Sequence, residues 1–187
     1  MYNEPKIKIR EELIKLFKNN KLKELIKIIK DNQKIFPNSI FLLNLLGNIN
    51  NQLRKFDEAE INFKKILSLE PKFADAHYNL GIIYKNINNI EKSVYHYKEC
   101  IKFNPNKFEA YNNLGNIYLK KQDSKLAIDN YLLCLEINPK YTTALQNFGV
   151  CIQNFKFTKQ TPIIEKSIIN LIMFINVAVL SAEKVSH

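Results

Sequence analysis

Residues 110–139 read AYNNLGNIYLKKQDSKLAIDNYLLCLEINP, and the single glycine of this stretch belongs to a strict series. Each glycine of the chain lies 34 residues from the next one, and four of the six prolines keep the same interval. The glycines are Gly47, Gly81, Gly115 and Gly149, and the prolines are Pro37, Pro71, Pro105 and Pro139. A single register shared by every glycine indicates a chain built from 34-residue repeats.

The residue types within one repeat explain how it folds. With glycine at position 8 and proline at position 32, the repeats are 40–73, 74–107 and 108–141, and a partial fourth covers 142–161. Position 20 is small (Ala59, Ser93, Ala127) and position 24 is aromatic (Phe63, Tyr97, Tyr131). Glycine and the small residue let two helices approach closely, and the aromatic ring fills the space beside them. Proline cannot continue a helix, so it ends each repeat.

This pattern resembles the tetratricopeptide repeat family, over about residues 6–155. The glycine, proline, small and aromatic positions agree at once, which makes the match specific. The resemblance implies an all-α fold, a right-handed superhelical solenoid of antiparallel helix pairs. It also implies that the first helix of each repeat, helix A, lines the inner, concave face. In the middle repeat we expect helix A over Ala74–Asn86 and the second helix, helix B, over 91–103.

The N-terminal segment, 1–39, is interpreted as a degenerate repeat that caps the stack. Its first helix is predicted at about Ile7–Lys18, and 21–37 has helix-B spacing before Pro37. Position 8 of this repeat is Leu13 instead of glycine.

The C-terminal segment, 162–187, departs from the repeat and predicts an apolar helix with a short tail. Residues 167–182 carry no charge, but they are too few to span a bilayer and include Asn170 and Asn176. Two explanations stay open. The helix packs on a partner or on a second copy of the chain, or it leads towards a further domain of a longer protein.

Asparagines recur on the predicted inner face and define the candidate binding site. Position 6 is asparagine in three successive repeats, and positions 5 and 9 add further amides and a tyrosine. The candidate residues are Asn79, Asn113 and Asn147 at position 6, Asn44, Tyr78 and Asn112 at position 5, and Asn48 and Asn116 at position 9. An amide carries both a donor and an acceptor, so it pairs with the backbone of an extended peptide. The sequence therefore predicts a protein–protein interaction module. Frequent asparagine throughout the chain is the competing explanation.

The position-6 asparagines are similar to those in the repeat domain of O-linked N-acetylglucosamine transferases. The likeness reaches only Asn79, Asn113 and Asn147. It raises an alternative, in which the chain is the substrate-recruiting part of a larger transferase whose catalytic domain is missing here. A basic chaperone clamp is disfavoured, because Lys85 and Lys120 stand at positions 12 and 13 while positions 2 and 5 carry no Lys or Arg.

Other kinds of site find little support in the sequence. No catalytic constellation or phosphate-binding loop is present, so we expect no enzymatic activity in these residues and no cofactor. His77 and His96 fall on different helices without Cys, Asp or Glu at ligand spacing, so no metal is expected. Cys100 and Cys134 share position 27 and are expected to pack between helices without forming a disulfide. Asp57 and Glu58 stand at the predicted start of a helix B, where a negative charge interacts favourably with the helix dipole.

The net charge of +10 comes almost entirely from lysine, since Arg10 and Arg54 are the only arginines. Phosphate-reading surfaces use arginine more often, and no nucleic-acid motif accompanies the charge. We therefore expect a protein or peptide partner and no nucleic acid. Three cysteines and a polar N-terminal start favour a reduced, cytoplasmic setting.

Overall fold

Helices make up nearly all of the chain that the structure describes. The structure, a computed structural model, describes residues 4–156, with side chains through residue 152. Within this range all regular elements are helical, which confirms the predicted all-α class. The helices are α1 Ile7–Lys18, α2 Leu22–Ile35, α3 Ile40–Gln52, α4 Phe56–Leu69, α5 Ala74–Asn86, α6 Ile90–Phe103, α7 Phe108–Lys120, α8 Ser124–Ile137 and α9 Thr142–Lys156.

The helices fall into two compact units. Unit 1 (Met1–Phe103) contains α1 to α6, and unit 2 (Asn104–His187) contains α7 to α9 in its described part. Odd-numbered helices are the A helices of their repeats and even-numbered helices are the B helices. Within each unit, successive helices are joined by short turns and pack as hairpins around buried apolar side chains.

The three glycines of the complete repeats make room for an aromatic ring. A Cβ atom placed on Gly47 would lie 2.7 Å from the Phe63 ring, and one on Gly81 or Gly115 would lie 2.6 Å from the ring of Tyr97 or Tyr131. Real Cβ atoms do not approach a ring so closely, so an alanine would force the ring to move. The position-8 glycine and the position-24 aromatic are therefore one packing device.

The N-terminal helix pair solves the same packing problem with different side chains. Leu13 stands where the other repeats have glycine, and Ile29 stands where they have the ring; both are fully buried in one cluster. Glu4 ties the start of the chain to α3, because its carboxylate accepts hydrogen bonds from the Ser39 hydroxyl and the Ile40 amide. A carboxylate at this helix N-terminus satisfies free amide groups.

The turns between helix A and helix B repeat a backbone feature that the sequence analysis did not predict. Each turn has one residue with φ between 55° and 62°, in the left-handed region, again at intervals of 34 residues. These residues are Asn20, Arg54, Asn88 and Gln122. The next residue donates its N–H to a carbonyl of the preceding helix, as Asp123 does to Tyr118 at 2.9 Å. This is the Schellman closure of a helix C-terminus.

The predicted C-terminal helix, 162–187, lies outside the described residues. The same is true of the predicted self-association surface at 167–182. Among the helices of residues 4–156, none combines the length and apolarity needed to cross a membrane.

Candidate functional site

The eight candidate residues lie on A helices. Unit 1 carries Asn44 and Asn48 on α3 and Tyr78 and Asn79 on α5. Unit 2 carries Asn112, Asn113 and Asn116 on α7 and Asn147 on α9. All are helix-interior positions, so packing and helix geometry fix where each side chain begins.

In unit 2 an amide pair is locked by a tyrosine. The Asn116 Oδ1 atom accepts one hydrogen bond from the Tyr131 hydroxyl at 2.7 Å and another from the Asn147 Nδ2 atom at 2.8 Å. The bonds join α7, α8 and α9. Tyr131 is fully buried, whereas the two asparagines are partly exposed. The buried tyrosine therefore fixes the position of the two amides, while both side chains remain partly exposed to solvent. A preorganised binding group has these two properties.

The two neighbouring asparagines on α7 are more deeply placed than the sequence indicates. Asn112 is 4% exposed and Asn113 is 9% exposed. The Asn112 Oδ1 atom is buried and has no hydrogen-bond partner among residues 4–152, a condition that costs free energy unless water or a ligand supplies a donor. Asn112 and Asn113 therefore contribute to packing as well as to any binding surface.

In unit 1 three amides form a stripe along α3. Asn44, Asn48 and Asn51 stand at i, i+4 and i+7, one face of a helix, and all three are partly exposed. The Oδ1 atoms of Asn44 and Asn51 are buried and have no hydrogen-bond partner in the part of the chain that the structure describes. On α5, Asn79 is partly exposed, and the Tyr78 ring lies 5.9 Å from the Tyr97 ring. Asn51 extends the candidate set, and its signal was the spacing of seven residues from Asn44.

Tyr97 and Tyr131 occupy the same repeat position with different hydrogen bonding. The Tyr131 hydroxyl has Asn116, but the equivalent residue beside Tyr97 is Ile82, which has no polar side-chain atom. The nearby Ser93 hydroxyl donates to the Gly81 carbonyl at 2.8 Å instead. Among the described residues, the buried Tyr97 hydroxyl therefore has no hydrogen bond of good geometry.

Replacing each of these tyrosines with phenylalanine is expected to have different effects. Tyr131→Phe removes a hydrogen bond and lowers the free energy of unfolding by about 1 kcal/mol. Tyr97→Phe removes a buried hydroxyl that has no well-formed hydrogen bond within the described part of the chain, and leaves stability unchanged or slightly raised. Urea unfolding of both variants, followed by circular dichroism, measures the difference. Equal losses in the two variants would contradict this assignment.

A histidine pair connects α5 and α6, a contact that the sequence did not predict. The His77 Nε2 atom lies 3.1 Å from the Pro71 carbonyl oxygen, which only accepts, so this nitrogen carries the proton. The His77 Nδ1 atom then accepts from His96 Nδ1 at 3.0 Å. Tyr84 stacks on His96 and donates to the Glu60 carboxylate at 2.7 Å. Burial and the neighbouring His77 lower the pKa of His96 to about 4, so His96 is neutral at pH 7.

The thiols are poorly suited to nucleophilic chemistry. Cys100, Cys134 and Cys151 are all buried and form no disulfide with one another. Burial raises the pKa of Cys134 to about 11 and also raises that of Cys151. The reactive thiolate is therefore scarce at neutral pH. No group of three or more metal-ligating side chains occurs within the described part of the chain.

Comparison with known families supports the repeat assignment. Models described as "Tetratricopeptide repeat" match residues 42–73, 62–95 and 108–141, and one described as "TPR repeat" matches 83–122. The chain therefore contains tetratricopeptide repeats between residues 42 and 141. The narrower likeness to O-linked N-acetylglucosamine transferase repeats stays a prediction. No curated protein shows significant sequence similarity to the chain.

Solved structures share the fold at low sequence identity. MamA is 22% identical, with 92% of this chain and 95% of that chain covered and a TM-score of 0.69. YrrB, "a TPR protein with an unusual peptide-binding site", is 18% identical, with coverages of 82% and 79% and a TM-score of 0.65. The first TPR of Spaghetti (RPAP3), bound to the HSP90 peptide SRMEEVD, is 20% identical, with coverages of 63% and 93% and a TM-score of 0.59. These likenesses establish the tetratricopeptide fold.

Proposed function

We propose that the chain is a non-catalytic protein–protein interaction module that binds an extended peptide segment of a partner against its A helices. The observation that carries this proposal is the Asn116–Asn147 pair, which is anchored by a buried tyrosine and partly exposed. Two proteins of the same fold, YrrB and Spaghetti, are described as having a peptide-binding site or a bound peptide. Both support the proposal by analogy.

The chemistry of the A helices suits a backbone ligand. Amides are uncharged and offer a donor and an acceptor each, so they pair with peptide groups whatever the side chains are. Unit 1 offers partly exposed amides on α3 and α5, and unit 2 offers them on α7 and α9. Each unit therefore provides its own stretch of polar surface for an extended segment.

Removal of the exposed amides tests the proposal. Peptides selected from a random library against the whole protein serve as the probe, and affinity is measured by fluorescence anisotropy. Asn79→Ala in unit 1 and Asn147→Ala in unit 2 are each expected to weaken peptide binding to that unit about 5- to 10-fold, because each removes one or two hydrogen bonds to the ligand. Asn113 is a less suitable position, because it is buried and its replacement would change the stability of the fold as well as the affinity for the peptide.

The matched control is Asn130→Ala on α8. Asn130 lies on a B helix, is partly exposed, and donates to the Leu126 carbonyl of its own helix. Asn130→Ala also removes an amide side chain, but from a B helix, so the affinity for the peptide should stay within twofold of that of the original protein. Circular dichroism must show unchanged helix content in all three variants. If the A-helix variants bind as tightly as the control, the proposed site is wrong.

A further inference from the structure

The hydrogen-bond chain in unit 2 has a direction. Burial raises the pKa of Tyr131, so its hydroxyl stays protonated and is available as a donor. Its partner at 2.7 Å is the Asn116 Oδ1 atom, which makes the oxygen end of this amide face inward. The same oxygen accepts from the Asn147 Nδ2 atom at 2.8 Å. One buried hydroxyl thereby sets the orientation of two amides in succession.

This direction leaves specific atoms available to a ligand. The Asn116 Oδ1 atom already accepts two hydrogen bonds, so the Nδ2 group of Asn116 remains as a donor for a ligand. Asn147 has committed one N–H, so its Oδ1 atom remains as an acceptor, without a partner among the described residues. Both side chains are partly exposed. The pair thus presents one donor and one acceptor side by side.

We propose that Tyr131 is a positioning residue that orients Asn116 and Asn147 to hold the backbone of one peptide residue. The ligand's carbonyl oxygen accepts from Asn116 Nδ2, and its N–H donates to Asn147 Oδ1. In an extended strand the N–H and carbonyl of one residue point to the same side, which matches this pair. A carboxylate offers only acceptors, so it leaves Asn147 Oδ1 unpaired and is the poorer ligand. This inference rests on the proposed function and specifies the chemistry of its ligand.

The orientation is tested first without any ligand. Asn116→Asp keeps an acceptor for both Tyr131 and Asn147, whereas Asn116→Leu, of similar size, keeps none. We expect Asn116→Asp to melt within about 2 °C of the original protein and Asn116→Leu to melt several degrees lower. If the two variants lose the same amount, the amides are oriented the other way and the inference is overturned.

The ligand chemistry is tested with the selected peptides and the whole protein. Each backbone N–H of a peptide is methylated in turn, and its C-terminal carboxylate is separately converted to an amide. At one position, methylation should weaken binding at least fivefold in the original protein but less than twofold in Asn147→Ala. Amidation of the C-terminus should change affinity less than twofold. Tyr131→Phe should reduce the sensitivity to that one methyl group, an effect that lost stability alone does not produce.

The outcomes separate this inference from the proposed function. If amidation abolishes binding and the loss depends on Asn147, the ligand is a carboxylate; the interaction module stands and the inference fails. If neither Asn79→Ala nor Asn147→Ala alters the affinity of any selected peptide, the proposed function fails and the inference with it. In that case the melting temperatures of the Asn116 variants still report the orientation of the amides.

Discussion

Gly115→Ala is expected to destabilise the protein by about 2 kcal/mol. The new Cβ atom would lie 2.6–2.9 Å from three ring atoms of Tyr131, a fully buried side chain whose hydroxyl is held by Asn116. Overpacking of this kind costs about 1–3 kcal/mol, and displacement of the ring also strains the hydrogen bond. Replacement of a helical glycine by alanine returns up to about 1 kcal/mol of helix propensity.

Gly149→Ala is the matched control in the same unit. This glycine holds the same repeat position on α9, but an added Cβ atom meets nothing within 4 Å among the described residues. Only the propensity gain applies, so the variant should be unchanged or up to about 1 kcal/mol more stable. Urea unfolding of both variants measures the difference of about 2–3 kcal/mol between them. Equal stability of the two variants would contradict the glycine–ring packing.

Acidification below about pH 6.5 is expected to destabilise unit 1 through His96. His96 has a lowered pKa of about 4 in the folded protein, against an ordinary value of 6.5. Between these values the unfolded chain binds more protons than the folded one, so stability falls as pH falls from 6.5 to 4. For one group the slope is at most about 1.4 kcal/mol per pH unit. Above pH 6.5 both forms are neutral and this dependence vanishes.

The groups that face His96 come from three helices, and a variant isolates its contribution. His77 and Tyr84 lie on α5, Glu60 and Lys64 on α4, and Glu99 on its own helix α6. The pKa of Glu60 is lowered by Lys64 and Tyr84, so its own loss of stabilisation comes at lower pH. His96→Phe should flatten the melting temperature between pH 6.5 and 5. A slope that persists in this variant would assign the effect to other groups.

The fold could be predicted from the sequence because the contact between glycine and aromatic ring requires particular residue types at fixed repeat positions. Every complete repeat has a glycine at position 8 and an aromatic residue at position 24, as in Gly81 and Tyr97. Because the pair recurs every 34 residues, the pattern is easy to recognise in the sequence. The expected helix over Ala74–Asn86 agrees with α5, and the expected 91–103 differs from α6 by one residue. The turn residue with positive φ was not predicted, because Arg54 and Gln122 are not residue types that favour the left-handed region.

The candidate site could be predicted only as far as helix position. Position 6 places an amide on an A helix, but the depth of each amide depends on the neighbours that cover it. For this reason Asn113 is 9% exposed while Asn147 at the same position is more open. The bond between Asn116 and Asn147 joins residues 31 apart on different helices, and the His77–His96 pair likewise needs two helices. Repeat spacing alone does not reveal such contacts.

The most direct test of the interaction site is a map of the residues that respond to a bound peptide. Backbone and side-chain amide signals of the whole protein would be followed by nuclear magnetic resonance as a selected peptide is added. The proposed function predicts shifts concentrated on the A helices of the unit that binds the peptide, with the side-chain amide of Asn79 in unit 1, or those of Asn116 and Asn147 in unit 2, among the largest. Shifts confined to the B helices, around exposed side chains such as Tyr95 and Leu133, would contradict it.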